Sequence, residues 1–498
     1  MSNYPKLILA AVLTVFFGMA IASARTNMPW ADEAWFSTPA WNLLTKGYPG
    51  VSVLDEMGGF HHMEPLRIHR RAYWQPPLHM LAQAVWYRLV GFSLFTLRYL
   101  SAFWGLAALL SWYFIMKTLF RDERVALLTV ALMAVDFTVV WTASEGRMDM
   151  MTSALGQAAF ASFLLLREKR FWLAVLVSQT LVAAGGMTHP MGLGNFAALL
   201  ALGVYLDRKR LLPAIVGLAI IPYLVGAAGW GWYALQDREA FLAQFGGNIW
   251  GRMVTPTSFS DVLHRQIVER YLNLFGMAPD TQGFSHLKIF ILFAYAAGLF
   301  GVLLAPKLRA LTPVRALLWM LAAGFSTFMA LDFQEIHSFY LIHFVLLLVP
   351  LLAAWTVSIW DCRPSLRAAV VAFLACVFLI QGSVTARRVT LNAYANIFLP
   401  ATDFLNENAV GKGIIMGSAE LGFELGFDGD LVDDHRLGVI SGKKPAYIVI
   451  DHNRYEDWIP TLQRLEPENY GLVRGLMDRN FHLVFDNKGY KIYARNSL

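Results

Sequence analysis

Eleven apolar runs, each near the length of a bilayer crossing, recur at about 5–24, 95–118, 124–141, 149–166, 170–187, 190–206, 211–234, 287–305, 314–331, 338–359 and 365–385. A hydrocarbon core takes roughly 20 residues of helix to cross, and only a helix satisfies its own backbone polar groups there. The fold class this dictates is an α-helical polytopic membrane protein of about 11 transmembrane helices. With 57% hydrophobic and 15% charged residues over 498 positions, an ordinary soluble protein of this length is excluded. Two cysteines, Cys362 and Cys376, make no disulfide framework. Helix packing must carry the fold.

The short loops set the orientation. Lys117/Arg121/Arg124, Arg167/Lys169/Arg170, Arg208/Lys209/Arg210, Lys307/Arg309/Arg315 and Arg363/Arg367 fall in alternate loops, which read as cytoplasmic. The formal charge of +6 is spent on these topology signals, so nucleic acid is not a partner. The turns at Glu145–Asp149, Gly186–Pro190 and Asp332–His337 then lie outside, with loops 25–94 and 235–286 and everything from 386 on. Leu7–Ala24 approaches a span in length, so the first run reads as an uncleaved helix, although Ala22-Ser23-Ala24 resembles a signal-peptide end. Pro76–Gly91, with Trp86, Tyr87 and Arg88, suits a helix lying on the membrane surface; counting it as a span would invert every later loop. A similar amphipathic helix follows Asp32-Glu33, through Trp35, Trp41 and Leu44.

Two domains result. Residues 1–385 form the transmembrane module, and 386–498 change character to a small extracytoplasmic α/β domain. Short apolar runs Gly413–Met416 and Tyr447–Asp451 alternate there with a helical stretch, Arg454–Leu465. The pair His482–Phe485 and Tyr490–Ala494 flanks Asp486-Asn487-Lys488-Gly489, which is hairpin turn chemistry. Gly411-Lys412-Gly413 lacks the other glycines and the Lys-Ser/Thr end of a phosphate loop.

Polar residues at the edge of a bilayer are expensive and mark candidate sites. Asp32-Glu33 follows the first helix; a shielded carboxylate there can take a proton from a hydroxyl nucleophile, while an acid at a helix start can equally serve as a cap. Glu145, Arg147 and Asp149 share one outer turn, suited to a sugar or to mutual pairing. His189 stands in Thr188-His189-Pro190. His337 and Tyr340, with His343 beyond, lie at the mouth of a later helix. His69, Arg70 and Arg71, with Arg252, Arg265 and Arg270, offer planar forks for phosphate oxygens, or contacts to membrane lipid headgroups. His61-His62 with Glu64 has metal-capable types, but adjacent histidines point apart in a regular element, so a divalent metal finds little support. No cofactor is required.

The order of one outward helix, a loop opening with Asp-Glu, the segment Trp74-Gln75-Pro76-Pro77-Leu78, Gly91, Arg98-Tyr99-Leu100-Ser101 and an outer Glu-x-Arg-x-Asp turn resembles the GT-C membrane glycosyltransferases. More narrowly, it resembles the protein O-mannosyltransferase and aminoarabinose (lipid A) transferase group, the family 39 and 83 type. The match is strongest over about 1–200, and His337–Pro350 is similar to the later helix ending Leu-Leu-Val-Pro. The resemblance implies transfer of a sugar from a polyprenyl-phosphate-linked donor to a hydroxyl of a glycan, glycolipid or protein acceptor. It places the general base at Asp32 beside Glu33, sugar or acceptor contacts at Glu145, Arg147 and Asp149, and the site on the outer face of a bacterial-type inner membrane. Gln75 stands where several relatives carry a lysine, so the donor phosphate passes to Arg70, Arg71 or another cation. A flippase of lipid-linked saccharide is the competing class, and a non-catalytic envelope assembly partner the third. A flippase calls for polar groups near the bilayer midplane and often for repeat symmetry; here acids cluster at the outer rim, and neither a repeat nor a mid-span charge ladder is visible.

Overall fold

The structure is a computed structural model and describes residues 4–58, 63–251, 258–278, 283–331, 338–452 and 454–496. The chain divides into two compact units: residues 1–23, 101–231 and 253–387 form the first, and residues 24–100, 232–252 and 388–498 the second. This differs from a cut at 385, because the first outer loop and the start of the second group with 388–498.

All eleven apolar runs are helical. Among the described residues eight are long and apolar enough to cross a bilayer, including α1 (Tyr4–Thr26), α4 (Leu94–Phe120), α7 (Asp149–Leu166), α10 (Pro213–Leu235) and Ile342–Cys362. The run at 124–141 is a broken span: α5 (Glu123–Val135) and α6 (Phe137–Ala143) meet at 64°. The remaining two, α8 (Phe171–Gly186) and α9 (Gly192–Asp207), have sixteen residues each, or roughly 24 Å at 1.5 Å per residue, short of a full crossing. These helices and this composition make the chain an integral membrane protein.

Asp136 explains the break. It is fully buried and its Oδ1 accepts from the backbone N–H of Thr138 (2.9 Å) and Val139 (3.2 Å), so it caps α6 inside the bundle. Its Oδ2 accepts from Gln381 Nε2 (2.7 Å) and from the Tyr295 hydroxyl. Gln381 Oε1 in turn accepts the Phe137 N–H at 2.8 Å. Freed backbone groups at membrane depth are thereby satisfied by side chains.

The second unit is built on a five-stranded sheet of order β2-β1-β3-β5-β4, from β1 (Ile415–Met416), β2 (Leu431–Val432), β3 (Tyr447–Asp451), β4 (Phe481–Asp486) and β5 (Tyr490–Arg495). β1 is parallel to β2 and β3, and β3-β5-β4 are antiparallel. The last hairpin turns as its sequence predicts: Asn487 Oδ1 accepts from the N–H of Gly489 (2.9 Å) and Tyr490 (2.8 Å). The first outer loop joins this sheet through a parallel bridge between Leu54 and Asp433, with Asp433 N–H donating to Val53 O at 2.7 Å. Lys443 Nζ pairs with Asp55 at 2.5 Å. The expected surface helix is α3 (Leu78–Val90), which packs on α2 (Ala31–Lys46) through Ala40, Ala84, Tyr87 and Leu97. Leu81, Val85 and Leu89 remain exposed at four-residue spacing, an apolar stripe suited to a membrane interface.

Behind the sheet Glu420 accepts from the Ser418 hydroxyl and from Tyr490 Oη (3.2 Å). Burial, with the nearby charge of Asp451, pushes its carboxyl up to about 8; burial likewise lifts Asp451 to about 6. Both carboxyls hold their protons more tightly in the fold than in the open chain, so stability is full at acid pH and falls as pH rises through these values. The thermal midpoint of the full chain, followed by tryptophan fluorescence, should drop between about pH 5 and about pH 8, and Glu420→Gln should flatten the slope. A midpoint that rises over this range contradicts the burial argument.

Candidate functional site

The two outermost acids of the first loop have separate fates. Glu33 is fully buried, and its carboxylate takes a two-pronged contact from Arg98: Nε to Oε1 at 2.7 Å and Nη2 to Oε2 at 2.6 Å. Arg98 also donates to the carbonyls of Ala24 (2.7 Å), Asn27 (2.8 Å) and Met28 (3.3 Å). A single guanidinium thus closes the end of α1 and fastens the first turn of α2. Glu33, grouped with Asp32 by sequence as catalytic, is placed here as an anchor with no surface for a substrate. Asp32 is half-buried in the first turn of α2, where a carboxylate suits the helix N-terminus, and Trp30 holds the cap position.

A second anchor lies two residues on, at Trp35. Trp35 Nε1 donates to Asp433 Oδ2 at 3.0 Å, and the Arg454 guanidinium lies 4.1 Å from the Trp35 ring centroid. Asp433 also accepts from Arg454 Nη1 (2.6 Å), Tyr455 Oη (3.0 Å) and the Ala419 N–H (3.1 Å). Residues 32 and 35 share a helical face while 33 points about 100° away. Glu33 and Trp35 therefore fix the rotation of α2, and with it the direction of Asp32.

The basic residues of the first loop converge. Tyr48, Arg67, His69, Arg70, Arg71 and Asp237 line a cavity of about 770 Å³ within the second unit. Arg67 has φ of 54°, a left-handed conformation that costs a non-glycine residue about 1 kcal/mol, and its carbonyl accepts from the N–H of Arg70 and Arg71 (3.0 and 3.1 Å). The turn so made presents His69, Arg70 and Arg71 on adjacent positions. Gly50 permits its close seat: a Cβ there would meet the His69 carbonyl oxygen at 2.0 Å. Arg67 pairs with Asp237 (3.1 Å) and Glu239 (2.5 Å), His69 with Glu56 (2.5 Å), and Arg71 Nη1 donates to Gln236 O (3.2 Å). Arg70 is exposed and has no ion-pair partner among the described residues.

In the first unit, Arg147 Nε donates to Asp149 Oδ2 at 3.0 Å, both side chains being buried, and His189 lies within electrostatic reach of Asp149. The His189 ring sits 5.8 Å from Tyr340, so these two expected residues meet. Glu145 accepts from Trp141 Nε1 in the same turn. Arg270 belongs to this unit too, buried and donating to Gln266 Oε1 at 2.6 Å, so it is no part of the loop's cationic cavity. His337, Arg252, His61 and His62 lie outside the described residues. Sequence reasoning counted Arg67 among the charged groups of the first loop without giving it a site role, and assigned none to Arg98, Asp433 or Arg454; Arg98 carried a signal as the first residue of the Arg-Tyr-Leu-Ser segment.

No family model matches this sequence, and comparison with curated proteins finds no relative. Solved structures do match. ArnT from Cupriavidus metallidurans bound to undecaprenyl phosphate superposes with a TM-score of 0.61 at 14% identity, over 100% of this chain and 99% of that one. Its apo state gives 0.62 at 14%, over 99% and 98%. The archaeal oligosaccharyltransferase AglB from Archaeoglobus fulgidus, in complex with an inhibitory peptide and a dolichol-phosphate, gives 0.56 at 11%, over 100% and 75%. The likeness is one of fold, and the chain has the GT-C fold.

The anchoring account makes a distinction between neighbours. Removing one partner of a buried ion pair leaves the other unpaired and costs about 3–5 kcal/mol. Glu33→Gln and Arg98→Ala should each lower the melting temperature of the purified protein markedly, whereas Asp32→Asn should leave it nearly unchanged. Equal melting shifts for Glu33→Gln and Asp32→Asn would refute the division of roles.

Proposed function

We propose that this protein is a membrane glycosyltransferase that moves a sugar from a polyprenyl-phosphate-linked donor to a hydroxyl on a glycan, glycolipid or protein, with inversion. Its site faces the extracytoplasmic side of a bacterial-type inner membrane, on the evidence of the basic loops assigned to the cytoplasm. The observation that carries this reading is the cavity of about 770 Å³ bordered by Arg67, His69, Arg70 and Arg71, in a chain with the fold of proteins solved with undecaprenyl phosphate and dolichol-phosphate.

The chemistry asks little of the protein. A sugar already joined to phosphate is activated, so no nucleotide site is needed. The acceptor oxygen forms a bond to the anomeric carbon as the bond from that carbon to the phosphate oxygen breaks. The hydroxyl proton passes to Asp32, and the electron pair leaves with polyprenyl phosphate. Arginines around that phosphate stabilise the charge that grows on it, through planar forks that meet two oxygens at once. Arg70, exposed and without an acidic partner among the described residues, is the group best placed to meet an anion; Arg67, held by two carboxylates, orients the turn.

Asp32→Asn should abolish transfer from a radiolabelled lipid-linked donor while leaving binding of undecaprenyl phosphate unchanged. Arg70→Ala with Arg71→Ala should weaken that binding about 10- to 100-fold, since a hydrogen bond to a charged group contributes roughly 1.5–3 kcal/mol. Full activity in Asp32→Asn would remove the base from this residue, and unchanged lipid binding in the arginine variant would remove the phosphate from this cavity.

A further inference from the structure

α9 carries Leu193, Leu200 and Val204 at seven- and four-residue spacing, so they form a ridge along one face, and each remains exposed. Arg208 continues the row four residues beyond Val204, at the end of the helix. A cavity flanks the ridge on either side, and Leu200 and Val204 border both. The first, of about 540 Å³, is closed by α8 and α10, with Val182, Ile215 and Ala219 on its wall. The second, of about 840 Å³, is closed by the helix Thr312–Leu331 through Trp319, Ala322 and Ala323, and Arg208 is the one charged residue on its wall among the described residues. All of these residues belong to the first unit.

The walls decide what can fill such cavities. Polar groups in the first are already used: Tyr223 Oη donates to Gln179 Oε1 at 2.5 Å, and Ser178 Oγ to Val175 O at 3.2 Å. The surface left is hydrocarbon, which offers a sugar or an ion nothing. α10 buries only Ala234, so little of the bundle packs against it across the cavity. An apolar void forfeits the dispersion contacts of every atom lining it, and in a bilayer the material at hand to restore them is a lipid chain. From Leu193 to Arg208 the ridge runs roughly 22 Å at 1.5 Å per residue, enough for a chain that reaches the middle of a core about 30 Å thick.

Charge at one end selects the headgroup. Arg208-Lys209-Arg210 joins α9 to α10, and Leu211, just past it, borders the first cavity. Asp207, the acid beside them, is taken: it accepts from Arg167 Nε at 2.6 Å and pairs with Arg210 at 3.3 Å, whose guanidinium lies 4.0 Å from the Phe171 ring centroid. Arg208 and Lys209 are exposed and have no ion-pair partner among the described residues. Two unneutralised cations where two apolar cavities end suit a phosphate that carries two chains.

We propose that an anionic diacyl phospholipid straddles this ridge, one chain in each cavity, with its phosphate on Arg208 and Lys209. The site uses none of the residues proposed for sugar transfer and stands without that reading. On the orientation proposed above, the lipid belongs to the cytoplasmic leaflet.

The test is native mass spectrometry of the full chain released from nanodiscs of equal parts phosphatidylglycerol and phosphatidylcholine with identical chains. Wild type should retain one phosphatidylglycerol per chain, favoured about tenfold or more, as two cations beside an anionic headgroup support. Arg208→Ala with Lys209→Ala should bring the ratio close to even. Ala219→Trp and Ala322→Trp, which each fill one cavity and keep every charge, should each cut retained phosphatidylglycerol about tenfold, with melting temperatures in phosphatidylcholine nanodiscs unchanged. Added undecaprenyl phosphate should leave the phospholipid in place. No preference in wild type, or a preference kept in the charge variant, overturns the headgroup site. Retention in both tryptophan variants removes the chains from the cavities, and displacement by undecaprenyl phosphate gives the cavities to that carrier's chain; either result overturns the proposal.

Discussion

The contact between Glu33 and Arg98 is the interaction on which the outer part of this protein depends. Two full charges removed from water are tolerated only because the guanidinium meets both carboxylate oxygens and spends its remaining donors on three carbonyls. The arrangement stops α1, starts α2 and fixes which way the first turn of α2 faces. Without it Asp32 would be one more acid on a loop. With it, and with Trp35 held between Asp433 and Arg454, Asp32 has a set direction.

The same rule divides the other buried polar groups by function. Asp136 breaks a membrane helix yet has partners on both oxygens, so its role is structural and complete. Along α7, Asp149 Oδ1, Thr152 and Ser153, and the facing His343, have no hydrogen-bond partner among the described residues. Arg70 shows the rule at the surface, a cation at the rim of a cavity whose neighbours are already paired. Where the chain satisfies a buried polar group it builds architecture.

Length and uniform apolarity made the eleven helical runs legible, because both are local properties of the chain. The final hairpin was legible for the same reason, its Asp-Asn-Lys-Gly turn being written in four residues. The break at Asp136 was hidden, since its cause lies in Gln381 and Tyr295, far away in sequence. So was the grouping of the first outer loop with the C-terminal sheet, which turns on one bridge between Leu54 and Asp433. Asp32 and Glu33 are chemically alike and adjacent, and only an arginine 65 residues later separates anchor from candidate base. The clustering of His69, Arg70 and Arg71 was visible in sequence, but Arg270, alike in chemistry, belongs elsewhere.

The most direct measurement is a cryo-electron microscopy map of the purified protein with undecaprenyl phosphate. The account predicts phosphate density in the cavity lined by Arg67, His69, Arg70 and Arg71. Lipid phosphate density away from those arginines, along a path crossing the bilayer, would contradict it and favour a flippase.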